Sequence, residues 1–167
     1  TVRRDDRSGA CMGLHVKSAE VPERKVVRTG VEGEGAMVVR RGYGNECSLM
    51  HAVRAPGYHT TPHAHEAEQI NYVLAGEIWF FVEERGFCCK AGDFHRVPSG
   101  KVHWAWNRSE SDATVVEAHS PALVAGKLQL TSIGLFDDGE RPQMRPPSEN
   151  NFVAYDWQSV ERRIFGG

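Results

Sequence analysis

The sequence predicts an all-β protein, a small β-barrel flanked by an N-terminal arm and a short C-terminal helix. Two observations in the middle of the chain support this fold class. Short runs of Val, Ile, Phe, Trp and Tyr recur about every ten residues, and glycine (17 residues) and proline (8 residues) separate them. Helical periodicity is almost absent from the same region. Alternate side chains should therefore face the inside and the outside of a barrel or sandwich.

Eight strands are predicted, and each is a short apolar run that ends at a turn signal. In chain order they cover residues 36–40, 47–53, 69–74, 77–82, 87–90, 94–97, 102–107 and 114–119. Residues 1–35 are polar, charged and glycine-containing, and we expect them to form an arm along the barrel, with one extended segment at 25–29. The barrel is expected to span residues 36–136.

The end of the chain, residues 137–167, is predicted to be an irregular connector followed by a short helix. Three of the eight prolines lie in 137–150. Asp156 suits the N-cap position, and Gly166 follows the last turn. Trp157, Val160 and Ile164 recur at helical spacing, so this stripe should pack on the barrel.

Length and charge restrict the kinds of function. A chain of 167 residues with a formal net charge of −2 is typical of one globular domain, which can fold without a metal or a disulfide. There is no basic excess for nucleic acid and no apolar run of about 20 residues to cross a bilayer. Four cysteines, with Cys88 and Cys89 adjacent, form no disulfide framework. We expect a cytoplasmic protein whose partner is a small molecule.

The unusual feature is eight histidines, six of which lie between positions 51 and 103. His63 and His65 are two residues apart, and this spacing on a strand places both imidazoles on one face. His103 begins a later strand, after a turn at 99–100. Two imidazoles from one strand and one from another can converge on a metal ion, with the amide oxygen of Gln69 as a fourth ligand. Coordination positions would remain open for water or substrate.

These residues lie in two motifs that resemble those of the cupins. The first cupin motif, Gly-x5-His-x-His-x3,4-Glu-x6-Gly, is matched in spacing by Gly57, His63, His65, Gln69 and Gly76. The second, Gly-x5-Pro-x-Gly-x2-His-x3-Asn, is matched at every position by Gly92, Pro98, Gly100, His103 and Asn107. The likeness extends over residues 36–125. It implies a small conserved barrel that binds one divalent transition metal ion (zinc, manganese, iron or nickel) through His63, His65, Gln69 and His103.

Gln69 departs from the family pattern, since most cupins with an intact site carry Glu there. An amide oxygen cancels none of the charge of the ion and leaves a more electron-poor centre. We therefore expect a metal-dependent enzyme that acts on a small oxygenated organic molecule by redox-neutral Lewis-acid chemistry, as an isomerase, a lyase or a ring-opening enzyme. Three alternatives stay open: an iron- or nickel-dependent dioxygenase, a cupin that binds a sugar or organic acid without turnover, and a site that holds no metal.

Further histidines near the motifs are candidates for proton transfer. His59 shares strand parity with His63 and is the expected catalytic proton carrier, the alternative being a solvent-exposed turn histidine. His51, and His119 with Glu117, would either reach the interior or orient a ligand imidazole. A hydrogen-bonded core histidine explains them equally well.

Two more pairs are distinguished by parity. Of His95 and Arg96, one should face inward, and an inward Arg96 would suit a substrate carboxylate. Trp104 and Trp106 should point away from the barrel interior if His103 points into it. They would then pack on another sheet, a terminal arm or a second subunit, and we expect a homodimer.

Overall fold

The computed structural model describes residues 13–136 and 146–166. Cys11, the first twelve residues of the predicted arm and residues 137–145 of the predicted connector lie outside the described residues, as does Gly167.

Thirteen strands, three short 3-10 helices and one α-helix make up the described part of the chain. The strands are β1 (Arg24–Arg28), β2 (Gly33–Tyr43), β3 (Ser48–Arg54), β4 (His59–Thr60), β5 (His63–Ala64), β6 (Glu68–Ala75), β7 (Glu77–Val82), β8 (Arg85–Lys90), β9 (Phe94–Val97), β10 (His103–Trp106), β11 (Ala113–Ser120), β12 (Ile133–Gly134) and β13 (Asn151–Phe152). The 3-10 helices span Ser18–Glu20, Gly30–Glu32 and Gly126–Thr131, and α1 spans Trp157–Phe165.

The all-β fold class is confirmed, and all eight predicted strands are present, β7 and β9 with the predicted ends and the other six with shifted ends. Sequence patterning missed β4, β5, β12 and β13, because a two-residue strand is too short to show alternation. The predicted arm contains β1, which pairs antiparallel with β2 over five residues and so belongs to the sheet. None of the described helices is long and apolar enough to cross a membrane.

The strands form two faces of a nearly closed barrel. On one face, which we call sheet A, the order is β1-β2-β3-β11-β6-β9, with β12 parallel to the end of β2. On the other, sheet B, the order is β13-β5-β10-β7-β8. Strand β2 connects the faces, because it pairs with β3 through residues 37–43 and with β4 through residues 33–34. The cavity described below lies between the two sheets.

Strand alternation gives sheet A an inner face with a polar and an apolar part. One row of cross-strand partners runs through Arg41, Met50, Glu117, Asn71 and His95. The neighbouring row, displaced by two residues on each strand, belongs to the hydrophobic core. It consists of Val39, Ala52, Val115 and Val73. The core therefore fills one end of the barrel, and the polar row faces the cavity at the other end.

The C-terminal helix caps the outer side of sheet B, as predicted. Asp156 is its N-cap, and the carboxylate accepts a hydrogen bond from the backbone N–H of Ser159 at 3.1 Å. Val160 packs on Phe81 and Trp104, whose rings stack with centroids 4.9 Å apart. Trp104 is 1% exposed. Trp104 thus packs against a terminal element of the same chain, and not against another sheet or a second subunit.

Candidate metal centre

Three histidines meet at the edge of sheet B. His63 on β5 and His103 on β10 are direct partners in an antiparallel ladder, so their side chains leave the sheet side by side. Their ring centroids are 4.3 Å apart, and the ring of His65 is 4.6 Å from that of His103. One nitrogen from each of the three rings lies within 4.8 Å of the other two. This spacing suits a single metal ion between them.

Backbone carbonyls set the tautomer of each ring. Nδ1 of His63 lies 2.9 Å from the carbonyl oxygen of Thr61, and Nδ1 of His103 lies 2.9 Å from that of Lys101. Nδ1 of His65 is 2.8 Å from the carbonyl oxygen of Ala67. Since a carbonyl oxygen only accepts, each Nδ1 must carry the proton and donate it. All three Nε2 atoms are left with a lone pair, which is the form of histidine that binds metals.

Gln69 completes the cluster from sheet A. Its Nε2 donates to Oδ1 of Asn71 at 2.6 Å, and Nδ2 of Asn71 donates to Nδ1 of His95 at 3.1 Å. The amide oxygen Oε1 of Gln69 is thereby directed at Nε2 of His65, 3.2 Å away. An amide oxygen and an imidazole lone pair are both acceptors, and a cation between them would make this arrangement favourable.

The donor set also fits a metal in its burial and charge. Nε2 of His103 is buried and has no hydrogen-bond partner among the described residues. Burial, reinforced by the charge of neighbouring histidines, holds the pKa of His63 well below its usual value and lowers the pKa of His103 to about 4. These two imidazoles are therefore neutral at pH 7 and ready to act as ligands. The four residues fit one divalent ion.

The cluster opens into a cavity of about 470 Å³ between the sheets. On the sheet A side, Arg54 donates to the carboxylate of Glu117, and both are buried. Burial raises the pKa of Glu117, but the surrounding positive groups, of which Arg54 contributes most, together outweigh it, and the net shift is downward. Nε2 of His119 lies 3.7 Å from Glu117 Oε2, and burial lowers the pKa of His119 to about 4.

His59 does not line this cavity, contrary to the sequence-based prediction. Its Nε2 lies 2.8 Å from Oε1 of Glu161 on α1, and its ring packs against Trp106 and Trp157. The parity argument fails because His59 and His63 are not on one continuous strand: β4 ends at Thr60, and residues 61–62 are not in a strand. His59 belongs to the contact between barrel and helix, on the opposite side of sheet B from the cluster.

The other candidates divide between the two faces of sheet A. His95, Glu117 and His119 point inward and line the cavity, whereas half-buried His51 lies on the outer face of β3. Arg96 is exposed and paired with Glu68, so it is not available to a ligand in the cavity.

Two inward residues, Arg54 and Asn71, were not predicted. Strand parity would have found both, since Asn71 lies two residues after Gln69 and Arg54 lies four after Met50 on β3.

Comparison with known proteins agrees with the fold. Residues 50–119 match the family model described as a cupin domain. A predicted oxalate decarboxylase from Thermotoga maritima superimposes with a TM-score of 0.58 at 21% identity, covering 64% of this chain and 98% of that one.

Two further solved structures are similar over smaller parts of the chain. AerE from Microcystis aeruginosa has a TM-score of 0.48 at 23% identity over 50% of this chain, which spans 40% of AerE. KdgF from Halomonas sp. has a TM-score of 0.46 at 26% identity over 50% of this chain and 78% of that one. No curated protein matches the sequence. Residues 50–119 are therefore a cupin domain, set in a nearly closed barrel.

Proposed function

We propose that this cupin is a metal-dependent enzyme that acts on a small oxygenated organic molecule by redox-neutral, Lewis-acid chemistry. His63, His65, Gln69 and His103 would hold one divalent transition metal ion. The observation that carries the proposal is the set of three Nδ1–H groups donated to backbone carbonyls, which directs three Nε2 lone pairs at one point.

A divalent ion bound there would supply a Lewis acid that polarises a carbonyl or hydroxyl oxygen. All four ligands are neutral, because Gln69 stands where a carboxylate would cancel one unit of charge. This charge balance favours isomerisation, elimination or ring opening over chemistry that requires a higher oxidation state of the metal. The cavity walls, in which Phe80 stacks on His95 of the polar row, would exclude water from the bound substrate.

His119 takes the place of His59 as the interior histidine that would move a proton. Its Nε2 is buried, lines the cavity and has no hydrogen-bond partner in the described structure. The carboxylate of Glu117, held by Arg54, lies close enough to stabilise a proton on that nitrogen. His119 therefore combines access to the cavity with an acidic neighbour, the arrangement that general acid–base catalysis requires.

Metal content gives the first test. Protein purified without added metal should contain close to one equivalent of a divalent transition metal, and His103→Ala should lose it. The matched control is His51→Ala, which removes a half-buried histidine on the outer face of sheet A and should leave metal content unchanged. Stoichiometric metal in His103→Ala would show that the assigned ligands are wrong.

The reaction type is tested by oxygen uptake with a panel of oxoacids, diketones, catechols and uronates. The proposal predicts substrate consumption without oxygen consumption, and weaker turnover with metal retained in Gln69→Glu. Oxygen consumption by the iron-loaded protein would instead establish the dioxygenase. Tight binding without consumption of any compound would establish a binding protein.

We also propose that the protein forms a homodimer, through a different surface from the one predicted. Trp104 is covered by α1, whereas Leu49, Ile70, Leu74 and Phe94 expose apolar side chains on the outer face of sheet A. Such a patch favours pairing of two copies. Light scattering should give the mass of a dimer for the wild type and of a monomer for Phe94→Asp.

A further inference from the structure

The cavity has a second polar region, on sheet A, that the metal ligands do not use. The described residues around the cavity include five basic side chains and only two carboxylates, Glu32 and Glu117, although the chain as a whole has a formal net charge of −2. Positive charge is therefore concentrated around the cavity of a protein that is acidic overall. A concave site of one sign of charge favours a ligand of the opposite sign.

Arg54 is the buried centre of this region. Its side chain is 5% exposed, and Nη2 donates to Glu117. Nε and Nη1 are also buried, yet they have no hydrogen-bond partner among the described residues. A buried donor that lacks an acceptor costs roughly 1–3 kcal/mol, so these N–H groups call for an acceptor that enters from the cavity.

Arg41 and Arg28 bring two more guanidinium groups to this region. Arg41 shares the polar row with Glu117 through Met50, and Arg28 donates from Nε to the hydroxyl of Tyr58 at 2.8 Å. The ring of Tyr58 lies 5.4 Å from the guanidinium of Arg54 and 5.8 Å from that of Arg28. Burial, and then the charges of Arg28 and Arg54, act to lower the pKa of Arg41, against the opposing charge of Glu117. Arg28 lies 4.0 Å from the carboxylate of Glu32, so Glu117 balances the charge of two cations, Arg54 and Arg41.

We propose that the ligand of this cavity is a small organic acid whose carboxylate binds Arg54 and Arg41, while another oxygen of the same molecule reaches the histidine cluster. The carboxylate supplies the acceptors that Arg54 lacks and balances the excess positive charge. The proposal rests on the proposed function for its second contact only. The carboxylate contact involves no metal ligand and should persist in the metal-free protein.

Binding is tested on EDTA-treated protein with malonate and galacturonate at millimolar concentrations. Malonamide and galactose are the neutral control compounds, and inorganic phosphate is tested separately. Binding is measured by thermal shift and by calorimetry. The acids should stabilise the protein and the neutral compounds should not. Equal effects of acid and neutral compound, or no effect of either acid, would overturn the proposal. Binding of phosphate without either acid would also overturn the proposal, because the cavity would then select a phosphate group.

Substitutions locate the contact. Arg41→Gln, and the double variant Arg54→Gln/Glu117→Gln, which keeps a neutral hydrogen-bonded pair, should each weaken acid binding at least tenfold. The control Arg96→Gln removes an exposed arginine that is paired with Glu68, and it should bind as the wild type does. Unchanged affinity in both cavity variants would overturn the assignment.

Metal content of the same samples separates this inference from the proposed function. Arg41→Gln should retain the full metal content of the wild type while losing affinity for the acid. Acid binding in a wild type that holds no metal would refute the proposed function and leave the inference standing. Acid binding that requires metal and ignores Arg41 would refute the inference alone.

Discussion

Glu161 anchors the C-terminal helix to the barrel, and its removal is expected to cost a large part of the stability. Oε1 accepts hydrogen bonds from Nε1 of Trp104 at 2.9 Å and from Nε2 of His59 at 2.8 Å. Trp104 is 1% exposed and His59 is 8% exposed, so neither donor can turn to water. Glu161→Ala leaves both donors unpaired.

Each unpaired buried donor costs roughly 1–3 kcal/mol, so the free energy of unfolding should fall by about 4 kcal/mol. For a chain of this length, that corresponds to a fall in Tm of roughly 10 °C. The assay is urea denaturation monitored by tryptophan fluorescence. Trp104, Trp106 and Trp157 lie in the helix contact, so their fluorescence reports its loss directly.

Glu161→Gln is the matched variant. Both hydrogen bonds end on the same oxygen, Oε1, and a glutamine oxygen accepts both without a charge. The loss should therefore stay below about 2 kcal/mol. A loss of less than 1 kcal/mol in Glu161→Ala, or equal losses in both variants, would refute the argument that these two hydrogen bonds hold the helix.

Two further predictions concern the metal-free barrel. Burial lowers the pKa of His95, His103 and His119 to about 4, so the unfolded chain binds more protons between pH 6.5 and about 4, and stability is lost as the pH falls through that window. The free energy of unfolding should fall by up to about 4 kcal/mol per pH unit in that window, as measured by urea denaturation at several pH values. A free energy of unfolding that does not change with pH there would contradict the conclusion that these histidines are neutral in the folded protein. Gly76 has φ +76° in the turn after β6, and a Cβ there would overlap the carbonyl oxygen of Asp112. Gly76→Ala should therefore lower Tm further than Gly92→Ala, whose Cβ would meet open space at φ +96°; equal shifts would contradict this packing argument.

The sequence predicted the parts of this protein that local patterns encode. Alternating apolar residues identified the long strands, and the spacing of His63, His65 and His103 identified a cluster that the structure brings together. Helix α1 was readable because Asp156 and Gly166 mark its ends. Each of these signals is read within a short segment, and the likeness to the two cupin motifs linked His103 to the other two histidines.

Contacts between distant elements were not readable. His59 was assigned to the cavity by counting alternation across a strand break, whereas its partner Glu161 lies 102 residues further along the chain. Arg54 and Glu117 are 63 residues apart, and strand parity can place each on the inner face without showing that the two side chains form a pair. Charged residues are rarely buried, so the residue type of Arg54 favoured the surface.

The division of the cavity between two sheets has a consequence for how new activities can arise. The three histidines are mounted on sheet B and its adjoining loop, whereas Arg41 and Met50 belong to sheet A. Substitutions at these two positions can change which ligand the barrel accepts without altering an imidazole or the hydrogen bond that orients Gln69. A combinatorial library at Arg41 and Met50 is therefore a natural starting point for directed evolution, because every member keeps the proposed metal ligands.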